Sequence, residues 1–209
     1  MAYLTALPKA QLEGSEIGAL ARQVYRKMDF VPTTVELLAA DEPLARGYLL
    51  MSREYTRMEQ DQRLTFLVAL ATSRSAECRY CTAHAARLAS MTGSSIAKVR
   101  AVIDLDLDSD AFTEKERAVC RFGVAAGRIP NEVEVAHYEA LAEHISEKDI
   151  RRLVGTIAMM GFLNRFNDTV ASPLEPESLD FAQKHLAGTW WTPGKHATAK
   201  PPAAFLDAS

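Results

Sequence analysis

The sequence predicts an all-α protein that forms one helical bundle in a single domain. None of its 9 prolines lies between Pro43 and Pro130, so several helices can run through that stretch without interruption. Apolar residues recur at helical spacing, and no stretch shows the apolar–polar alternation that is typical of a half-buried strand. Residues 10–185 contain no linker, and 209 residues are the length of one domain.

The first two strongly patterned helices are predicted over residues 42–58 and 61–75. In the first of them, apolar residues recur every three or four positions, at Leu44, Tyr48, Met51 and Tyr55. The second reads DQRLTFLVALATSRS and is apolar nearly all round, which is typical of a buried central helix.

Two more helices are predicted after Cys78. The segment CTAHAARLASMTG is rich in good helix formers, and Gly93 is expected to end that helix as its C-cap. Ser94 and Ser95 then offer an N-cap for a short helix that runs to Ile103.

The next helix is predicted from its capping box. Thr113 and Glu116 have the spacing at which each side chain bonds the other residue's backbone N–H, so a helix is expected to begin there and to end near Gly127. A further helix is expected to begin at Pro130 or Asn131.

The last predicted helix is the longest. Ser146 is expected to cap it, and its apolar pattern runs through Asn167. Asn164, Arg165 and Asp168 are polar residues on this otherwise apolar stretch. They either anchor hydrogen bonds, which is the favoured reading, or line a pocket.

The C-terminal stretch differs in composition from the rest of the chain. We therefore divide the chain into a helical domain, residues 1–187, and a tail or arm, residues 188–209. The tail carries Trp190 and Trp191 beside prolines and small residues, with no periodicity. It is either partly disordered or an arm whose aromatic rings pack on a neighbouring subunit.

The composition excludes several classes of protein. Lys and Arg number 24 against 27 Asp and Glu, and the chain has no basic stretch, which argues against nucleic-acid binding. The longest apolar runs are shorter than the roughly 20 residues that cross a bilayer. The first residues show no signal-peptide pattern, so we expect a cytoplasmic protein. In that reducing compartment, a close pair among the 3 cysteines indicates redox chemistry or metal binding.

One motif carries recognisable chemistry, and it contains Cys78, Cys81 and His84. The two cysteines are three residues apart, so on a helix they share one face. At a helix N-terminus, the free N–H groups and the dipole favour the thiolate of both cysteines. His84 follows one turn later and is placed to accept the proton of Cys81. Such a set can attack a peroxide, form a sulfenic acid and resolve it as a Cys78–Cys81 disulfide.

Three other readings of the motif remain open. A zinc site is one, although the motif supplies only three ligands and His137 or His144 would have to complete it. A pair of buried, inert cysteines is the second, and inert packing is also expected for the isolated Cys120. Thioredoxin-like exchange is the third, but that fold needs strands.

The motif and its surroundings resemble a known family. AECRYCTAHAARLA is similar to the active-site helix of the AhpD-like alkylhydroperoxidase branch of the carboxymuconolactone decarboxylase family. Phe30-Val31-Pro32 and the segments LTFLVALATSRSAEC, FTEKERAVCRFGVAAG and GFLNRFNDTVASPLE are similar to other parts of it. The resemblance covers roughly residues 28–177.

The resemblance implies an all-helical AhpD-like bundle that assembles into a homo-trimer or homo-hexamer. It implies reduction of small hydroperoxides by the cysteine pair and regeneration of the pair by an external dithiol, with neither a metal ion nor an organic cofactor. Carried over by position, Cys81 is the peroxide-reactive thiol beside His84, and Cys78 is the resolving thiol. The residues themselves leave the order of attack open, because the helix dipole favours Cys78 and the nearby histidine favours Cys81. The decarboxylase branch lacks the cysteine pair.

The sequence departs from the family pattern at two places. The histidine stands three residues after the second cysteine, and the position four residues after it is Ala85. Where the pattern has a proton-relay glutamate, this sequence reads Leu64-Thr65-Phe66. Two alternatives stay open: a non-catalytic binding or scaffold protein, which the missing glutamate suggests, and a carboxymuconolactone-type decarboxylase that uses the same pocket without the thiols.

Overall fold

The prediction of an all-α fold is confirmed. The computed structural model describes residues 2–26, 28, 30–58 and 60–203, and this part of the chain contains helices and no strand. The helices are α1 (Lys9–Glu13), α2 (Glu16–Val24), α3 (Thr33–Leu38), α4 (Glu42–Arg57), α5 (Gln62–Ser75), α6 (Arg79–Met91), α7 (Ile96–Ile103), α8 (Glu114–Gly127), α9 (Val135–Ala142), α10 (Glu147–Val170), α11 (Pro176–His185) and α12 (Lys195–Thr198). No helix of this described part is long and apolar enough to span a membrane.

The chain divides into two compact units. The first comprises the described residues of 1–59, 170–175 and 195–209, and the second comprises 60–169 and 176–194. The first unit contains α1–α4 and α12, and α2 packs against α4 there. Its buried His196 hydrogen bonds through Nδ1 to the Ser172 carbonyl at 2.8 Å.

The second unit is organised around α5. This helix packs most extensively against α8 and α6, and nine of its side chains are buried. A core of apolar side chains joins it to α8, α9 and α10: Leu64, Val68, Val119, Phe122, Leu141, Ile150 and Leu153. The expectation that residues 61–75 form a buried central helix is therefore confirmed.

Two glycines let the backbones of α5 and α8 approach closely. A Cβ atom at Gly123 would lie 2.9 Å from the Cβ of Ala71, and one at Gly127 would lie 2.6 Å from the carbonyl oxygen of Thr72. Since these distances are shorter than ordinary carbon contacts, any larger residue would push the two helices apart. The close approach of α8 thus positions the C-terminal end of α5, and the chain leads from there directly to Cys78.

The predicted helix ends agree well with the structure where capping residues are present. Thr113 and Glu116 form the predicted capping box of α8, and Ser95 accepts the N–H of Lys98 as the N-cap of α7. Gly93 follows the C-cap of α6 with φ +99°, the left-handed conformation that glycine adopts readily.

Two predicted boundaries are wrong. Helix α9 begins at Val135 rather than at Pro130 or Asn131, because the Asn131 side chain accepts the N–H of Val133 at 2.9 Å and closes a local turn. Helix α10 continues beyond Asn167 to Val170, since no helix-breaking residue precedes the left-handed Ala171.

Candidate active site

The two cysteines of the motif lie at the N-terminus of α6, after a sharp reversal of the chain. Helix α5 ends at Ser75, and Glu77 adopts a left-handed backbone conformation with φ 57°. Cys78 follows as the N-cap of α6, and its N–H donates to the Ser73 carbonyl at 3.2 Å. The reversal turns the chain from the central helix directly into the motif.

The sulfur of Cys78 occupies the position of a capping group. Cys78 Sγ accepts a hydrogen bond from the backbone N–H of Cys81, with 3.4 Å between nitrogen and sulfur. Both residues are free thiols, and both are buried. The pair therefore lies on one turn of one helix, with the Cys78 sulfur at the positive end of the helix dipole.

The sulfur of Cys81 accepts a hydrogen bond from a residue on a different helix. Asn167 on α10 donates from Nδ2 to Cys81 Sγ at 3.5 Å. Burial raises the pKa of Cys81 well above its ordinary value, the neighbouring Cys78 thiol adds to the rise, and the Asn167 hydrogen bond opposes it. Cys81 is thus protonated at rest, which differs from the expectation that the helix N-terminus favours its thiolate. Burial is the largest cause of the rise.

His84 lies on the same helix, and its ring is held by Tyr80. The two rings stack with centroids 4.3 Å apart. His84 Nδ1 lies 3.0 Å from the Tyr80 carbonyl oxygen, and because a carbonyl only accepts, Nδ1 carries the hydrogen. In the neutral imidazole, Nε2 is then the basic nitrogen. Tyr80 lies between the cysteines in sequence, and its contact with His84 orients the histidine.

A cavity of about 750 Å³ lies along α10, and Cys78, Cys81 and His84 are not among the residues that line it. Its wall includes Thr72 and Ala76, at the C-terminal end of α5 and close in sequence to Cys78. The rest is mainly apolar surface of α10, of the end of α8 and of the loop that follows α8, with polar groups among it: Ala126, Gly127, Arg128, Ile129, Asn131, Val154, Ile157, Ala158, Gly161, Phe162, Asn164, Arg165, Asp168 and Thr169. Asn164, Arg165 and Asp168 therefore line a pocket, the reading that the sequence analysis favoured less.

Asn164 stands out among the residues of the cavity wall. It is only 3% exposed, and neither atom of its amide has a hydrogen-bond partner within the part of the chain that the structure describes. A buried amide without partners costs stability, so its presence points to a role other than anchoring the fold.

Comparison with known proteins supports the fold. Neither protein-family models nor curated proteins match the sequence. Solved structures do match: the debrominase Bmp8 is 24% identical with a TM-score of 0.77, covering 87% of this chain and 96% of Bmp8. The same match holds for a cysteine-to-alanine variant of Bmp8 in complex with 2,3,4-tribromopyrrole.

Two further matches are peroxidase-related proteins. An uncharacterized one from Ralstonia eutropha JMP134, an alkylhydroperoxidase AhpD core, is 21% identical with a TM-score of 0.74, covering 87% of this chain and 95% of its own. One from Silicibacter sp. TM1040 is 15% identical with a TM-score of 0.68, covering 78% and 86%. The chain has the AhpD-like fold.

Leu64-Thr65-Phe66, the residues at which the resemblance implies a glutamate, carry no charge. The hydroxyl of Thr65 donates to the Asp61 carbonyl at 2.8 Å, as in an ordinary helix. The negative charge of Asp168 is the smallest of the causes that raise the pKa of Cys81. Sequence reasoning named Asp168 as a polar residue of α10 but did not connect it with the cysteines.

The structure bears on two of the other interpretations, the zinc site and the inert packing of Cys120. Nowhere in the described ranges do three or more His, Cys, Asp or Glu residues form a group that could hold a metal ion, so His137 and His144 complete no zinc site with the cysteines. Cys120 is fully buried, and burial raises the pKa of its thiol to about 12, which suits inert packing.

Two contacts to the motif are not predicted from the sequence. Asn167, which the sequence marks only by its family likeness, donates to the Cys81 sulfur. Trp191, expected in a disordered tail or an intersubunit arm, is 4% exposed, and its indole N–H donates to the Arg79 carbonyl of the same chain at 2.9 Å. Two adjacent tryptophans were the only signal for this contact. The limits of the predicted domain, residues 1–187, remain a prediction.

Proposed function

We propose that the protein is a thiol-dependent hydroperoxide reductase that uses Cys81 as the attacking thiol and Cys78 as the resolving thiol. The observation that carries the proposal is the Cys81 sulfur, which lies next to a second thiol and accepts a hydrogen bond from Asn167 of the cavity-lining helix α10. One amide donor at the sulfur stabilises a thiolate once it forms, and a thiol one turn away resolves the oxidised product.

The first step forms a sulfenic acid. The Cys81 thiolate attacks the outer oxygen of a hydroperoxide, the O–O bond breaks, and the alkoxide that leaves takes up a proton to become an alcohol. Because burial keeps Cys81 protonated at rest, a base has to remove its proton first. We assign this role to Nε2 of His84, whose Nδ1 is committed to the Tyr80 carbonyl.

The second step forms the disulfide. The Cys78 sulfur attacks the Cys81 sulfenic acid, the new S–S bond forms, and water leaves. An external dithiol then reduces the disulfide by two thiol–disulfide exchanges and is itself oxidised. The cycle needs neither a metal ion nor an organic cofactor, and the cytoplasm, which keeps dithiols reduced, is the compartment that we propose.

We propose that the cavity holds the organic part of the hydroperoxide. Val154, Ile157 and Phe162 give it an apolar wall, which favours an aromatic or branched alkyl group over hydrogen peroxide. The unpartnered amide of Asn164 is available for one polar group of the substrate.

The proposal is tested by stoichiometric peroxide consumption. The fully reduced protein is mixed with cumene hydroperoxide or hydrogen peroxide, and the cysteine peptides are analysed by mass spectrometry. We expect about one peroxide consumed per chain with formation of a Cys78–Cys81 disulfide. In Cys78→Ser, a sulfenic acid should be trapped at Cys81, while Cys81→Ser should consume peroxide no faster than free cysteine.

One control variant and two possible outcomes decide whether the proposal fails. Cys120→Ser removes the third thiol and should leave the consumption unchanged, because that thiol is fully buried in the core. A wild-type rate equal to that of free cysteine would overturn the peroxidase proposal and leave a binding or scaffold protein. Turnover of a lactone substrate that survives Cys78→Ser and Cys81→Ser together would favour the decarboxylase.

A second candidate is reductive dehalogenation of a halogenated aromatic compound. The observation in its favour is the fold match with the debrominase Bmp8 and with its cysteine-to-alanine variant bound to 2,3,4-tribromopyrrole. The same dithiol balances that reaction: two thiols supply two electrons, a C–H bond replaces a C–Br bond, and bromide and a disulfide are formed. Bromide release from a brominated pyrrole, measured beside peroxide consumption, decides between the two reactions.

We further propose that the chain forms a homo-oligomer, a trimer or a hexamer. Two apolar side chains at the cavity wall support this proposal, because Ile129 is 76% and Val154 is 39% exposed. A second copy that covers them would close the open side of the cavity. Light scattering after gel filtration should give a multimeric mass for the wild type and a lower mass for Ile129→Asp with Val154→Asp, and a monomeric wild type would contradict the proposal.

A further inference from the structure

The segment that follows α11 crosses the first turn of α6, where the cysteines lie. We call residues 188–194 the C-terminal strap. The guanidinium of Arg100 on α7 fixes its near end by donating to the carbonyls of His185 and Ala187 at 2.9 and 3.0 Å. The backbone N–H of Trp190 donates to Asp104 Oδ1 at 3.3 Å. The strap is therefore attached to α7 before it reaches the motif.

The strap binds Arg79, the residue that directly follows Cys78, on both its backbone and its side chain. The indole of Trp191 is buried, and its Nε1–H donates to the Arg79 carbonyl at 2.9 Å. The Arg79 guanidinium donates to the carbonyl of Thr192 at 3.1 Å and also to its hydroxyl. The same guanidinium lies 4.6 Å from the ring centroid of Trp190, whose ring also contacts Arg74 at 3.9 Å.

With this contact, the first three carbonyls of the motif each accept a hydrogen bond from a side chain. The Cys78 carbonyl accepts from the Thr82 hydroxyl at 2.8 Å, and the Tyr80 carbonyl accepts from His84 Nδ1 at 3.0 Å. These two donors are local to α6. The middle carbonyl, that of Arg79, also lies within the backbone hydrogen bonding of α6, and its side-chain donor is Trp191, which is 112 residues away in the chain. The strap thus adds a contact from outside α6 to the turn between the two sulfurs.

From these contacts we infer that Trp191 is a positioning residue, which holds the first turn of α6 in the geometry in which Cys78 and Cys81 close into a disulfide. The inference rests on the proposed function. A disulfide needs its two Cβ atoms at a fixed short distance, so a turn that is already ordered loses less entropy when the S–S bond forms. The strap therefore raises the effective concentration of one thiol for the other and favours the disulfide over the dithiol.

The decisive measurement is the equilibrium between the dithiol and the disulfide in glutathione buffers, which requires no peroxide. Trp191→Phe keeps an aromatic ring and removes the N–H donor. We expect the equilibrium constant for disulfide formation to fall about fivefold, which is about 20 mV for a two-electron couple. Trp190→Phe is the matched control, because it is the same change at the adjacent residue and leaves the Arg79 carbonyl bonded. We expect it to shift the constant less than twofold.

A second readout follows the lifetime of the sulfenic acid. If the turn is less ordered in Trp191→Phe, Cys78 attacks the Cys81 sulfenic acid more slowly, and excess peroxide converts more of it to sulfinic acid. A role of Trp191 in stability alone would lower the melting temperature without changing the thiol equilibrium of the folded protein. A shift below twofold in Trp191→Phe, or an equal shift in Trp190→Phe, overturns the inference.

A measurement on the unmodified chain covers the case in which Trp191→Phe does not fold. By linkage, a strap that favours the disulfide is itself held more tightly when the disulfide is present. Hydrogen exchange of residues 188–194 should therefore be several-fold slower in the oxidised than in the reduced protein, and equal rates would overturn the inference. A wild type that forms the disulfide with glutathione but ignores peroxide would refute the proposed function and leave the role of Trp191 intact. A wild type that forms no disulfide overturns both.

Discussion

Asn167 donates a hydrogen bond from its side-chain amide to the sulfur of Cys81 across 3.5 Å, and so connects helix α10 with the thiol pair of α6. The neighbouring residue, Asp168, acts on the same thiol with the opposite sign, because its negative charge raises the pKa of Cys81 whereas the amide of Asn167 lowers it. Two adjacent residues of one helix therefore act in opposite directions on a pKa that burial raises most.

Substitutions at these two positions should change the reactivity of Cys81 in opposite directions. Asn167→Ala removes a donor to the thiolate, so we expect alkylation of Cys81 by iodoacetamide at pH 8 to slow by about fivefold, the equivalent of roughly 1 kcal/mol. Asp168→Asn removes a negative charge and should accelerate it. Trypsin cleaves after Arg79, so mass spectrometry follows Cys78 and Cys81 on separate peptides. Equal rates in both variants would contradict this account of the site.

The pH dependence of Cys81 follows from the same pKa shift. Because burial raises the pKa of Cys81 well above its ordinary value, only a small fraction is thiolate near neutral pH. The alkylation rate of wild-type Cys81 should therefore rise by about tenfold per pH unit between pH 7 and pH 9, as expected for a thiolate nucleophile below its pKa. A rate that reaches a plateau below pH 8 would show that the resting thiol is ionised.

Cys120 provides an internal reference in the same experiment. Burial is the largest cause that raises the pKa of its thiol to about 12, and Cys120 is a buried residue of α8. We expect alkylation of Cys120 at pH 8 to be at least about a hundredfold slower in the folded protein than in urea, since the thiolate fraction and the access to reagent are both reduced. Rapid labelling of folded Cys120 would show that this part of the core opens readily.

Local patterns in the sequence predicted the fold well. The capping box at Thr113 and Glu116 and the left-handed Gly93 lie where the chain needs them, because a capping motif is read from a few neighbouring residues. The boundary of α9 was not predicted, because the Asn131 side chain bonds the backbone two residues later and competes with the helix. Nothing in the local pattern distinguishes that turn from an N-cap.

The candidate site was predictable only in part, for a related physical reason. Cys78, Cys81 and His84 share one helix, so their spacing alone places them together. Asn167 and Trp191 reach the motif from 86 and 112 residues away in the chain, and such contacts leave no periodic signal in one sequence. The resting protonation of Cys81 was also not predicted, because it depends on how deeply the surrounding helices bury the sulfur.

A buried ion pair in the second unit should contribute to stability in a pH-dependent way. Lys98 Nζ lies 2.5 Å from Glu116 Oε1, and both side chains are largely buried. Burial on its own raises the pKa of Glu116. The hydrogen bonds from Lys98 and Thr113 and the charge of Lys98 together lower it by more than burial raises it, so the pKa lies below the ordinary value of 4.5. A carboxyl group with a lowered folded-state pKa stabilises the protein above its unfolded pKa, and this contribution is lost as the pH falls through the folded value.

Glu116→Gln should therefore lower the free energy of unfolding at pH 7 by about 3 kcal/mol, because it leaves the buried Lys98 ammonium without its partner. Urea unfolding at pH 7 measures the change, and the difference from wild type should shrink below pH 4. Glu114→Gln is the matched control on the same helical turn, since the Glu114 side chain is 74% exposed and its pair with Arg117 is solvated. A change in the control as large as that in Glu116→Gln would contradict the role of burial.

Asn164 offers a test in which stability and substrate binding change in opposite directions. Leucine has nearly the same volume as asparagine and no polar atoms. Because neither amide atom of Asn164 has a partner within the described part of the chain, Asn164→Leu should raise the free energy of unfolding by about 1 kcal/mol. The same change removes the polar group that we propose for substrate binding, so KM for an aromatic hydroperoxide should rise by about fivefold while kcat changes little.

Asn131→Leu is the control for Asn164→Leu, because Asn131 also lines the cavity but its side chain is bonded. Its Oδ1 accepts the N–H of Val133 at 2.9 Å, so the leucine should lower the free energy of unfolding by about 1 kcal/mol instead of raising it. If urea unfolding gives changes in the free energy of unfolding of opposite sign for the two variants, the two asparagines of the cavity wall have different roles. If Asn164→Leu lowers stability as well, its amide has a structural partner, and the cavity must bind its substrate through other groups.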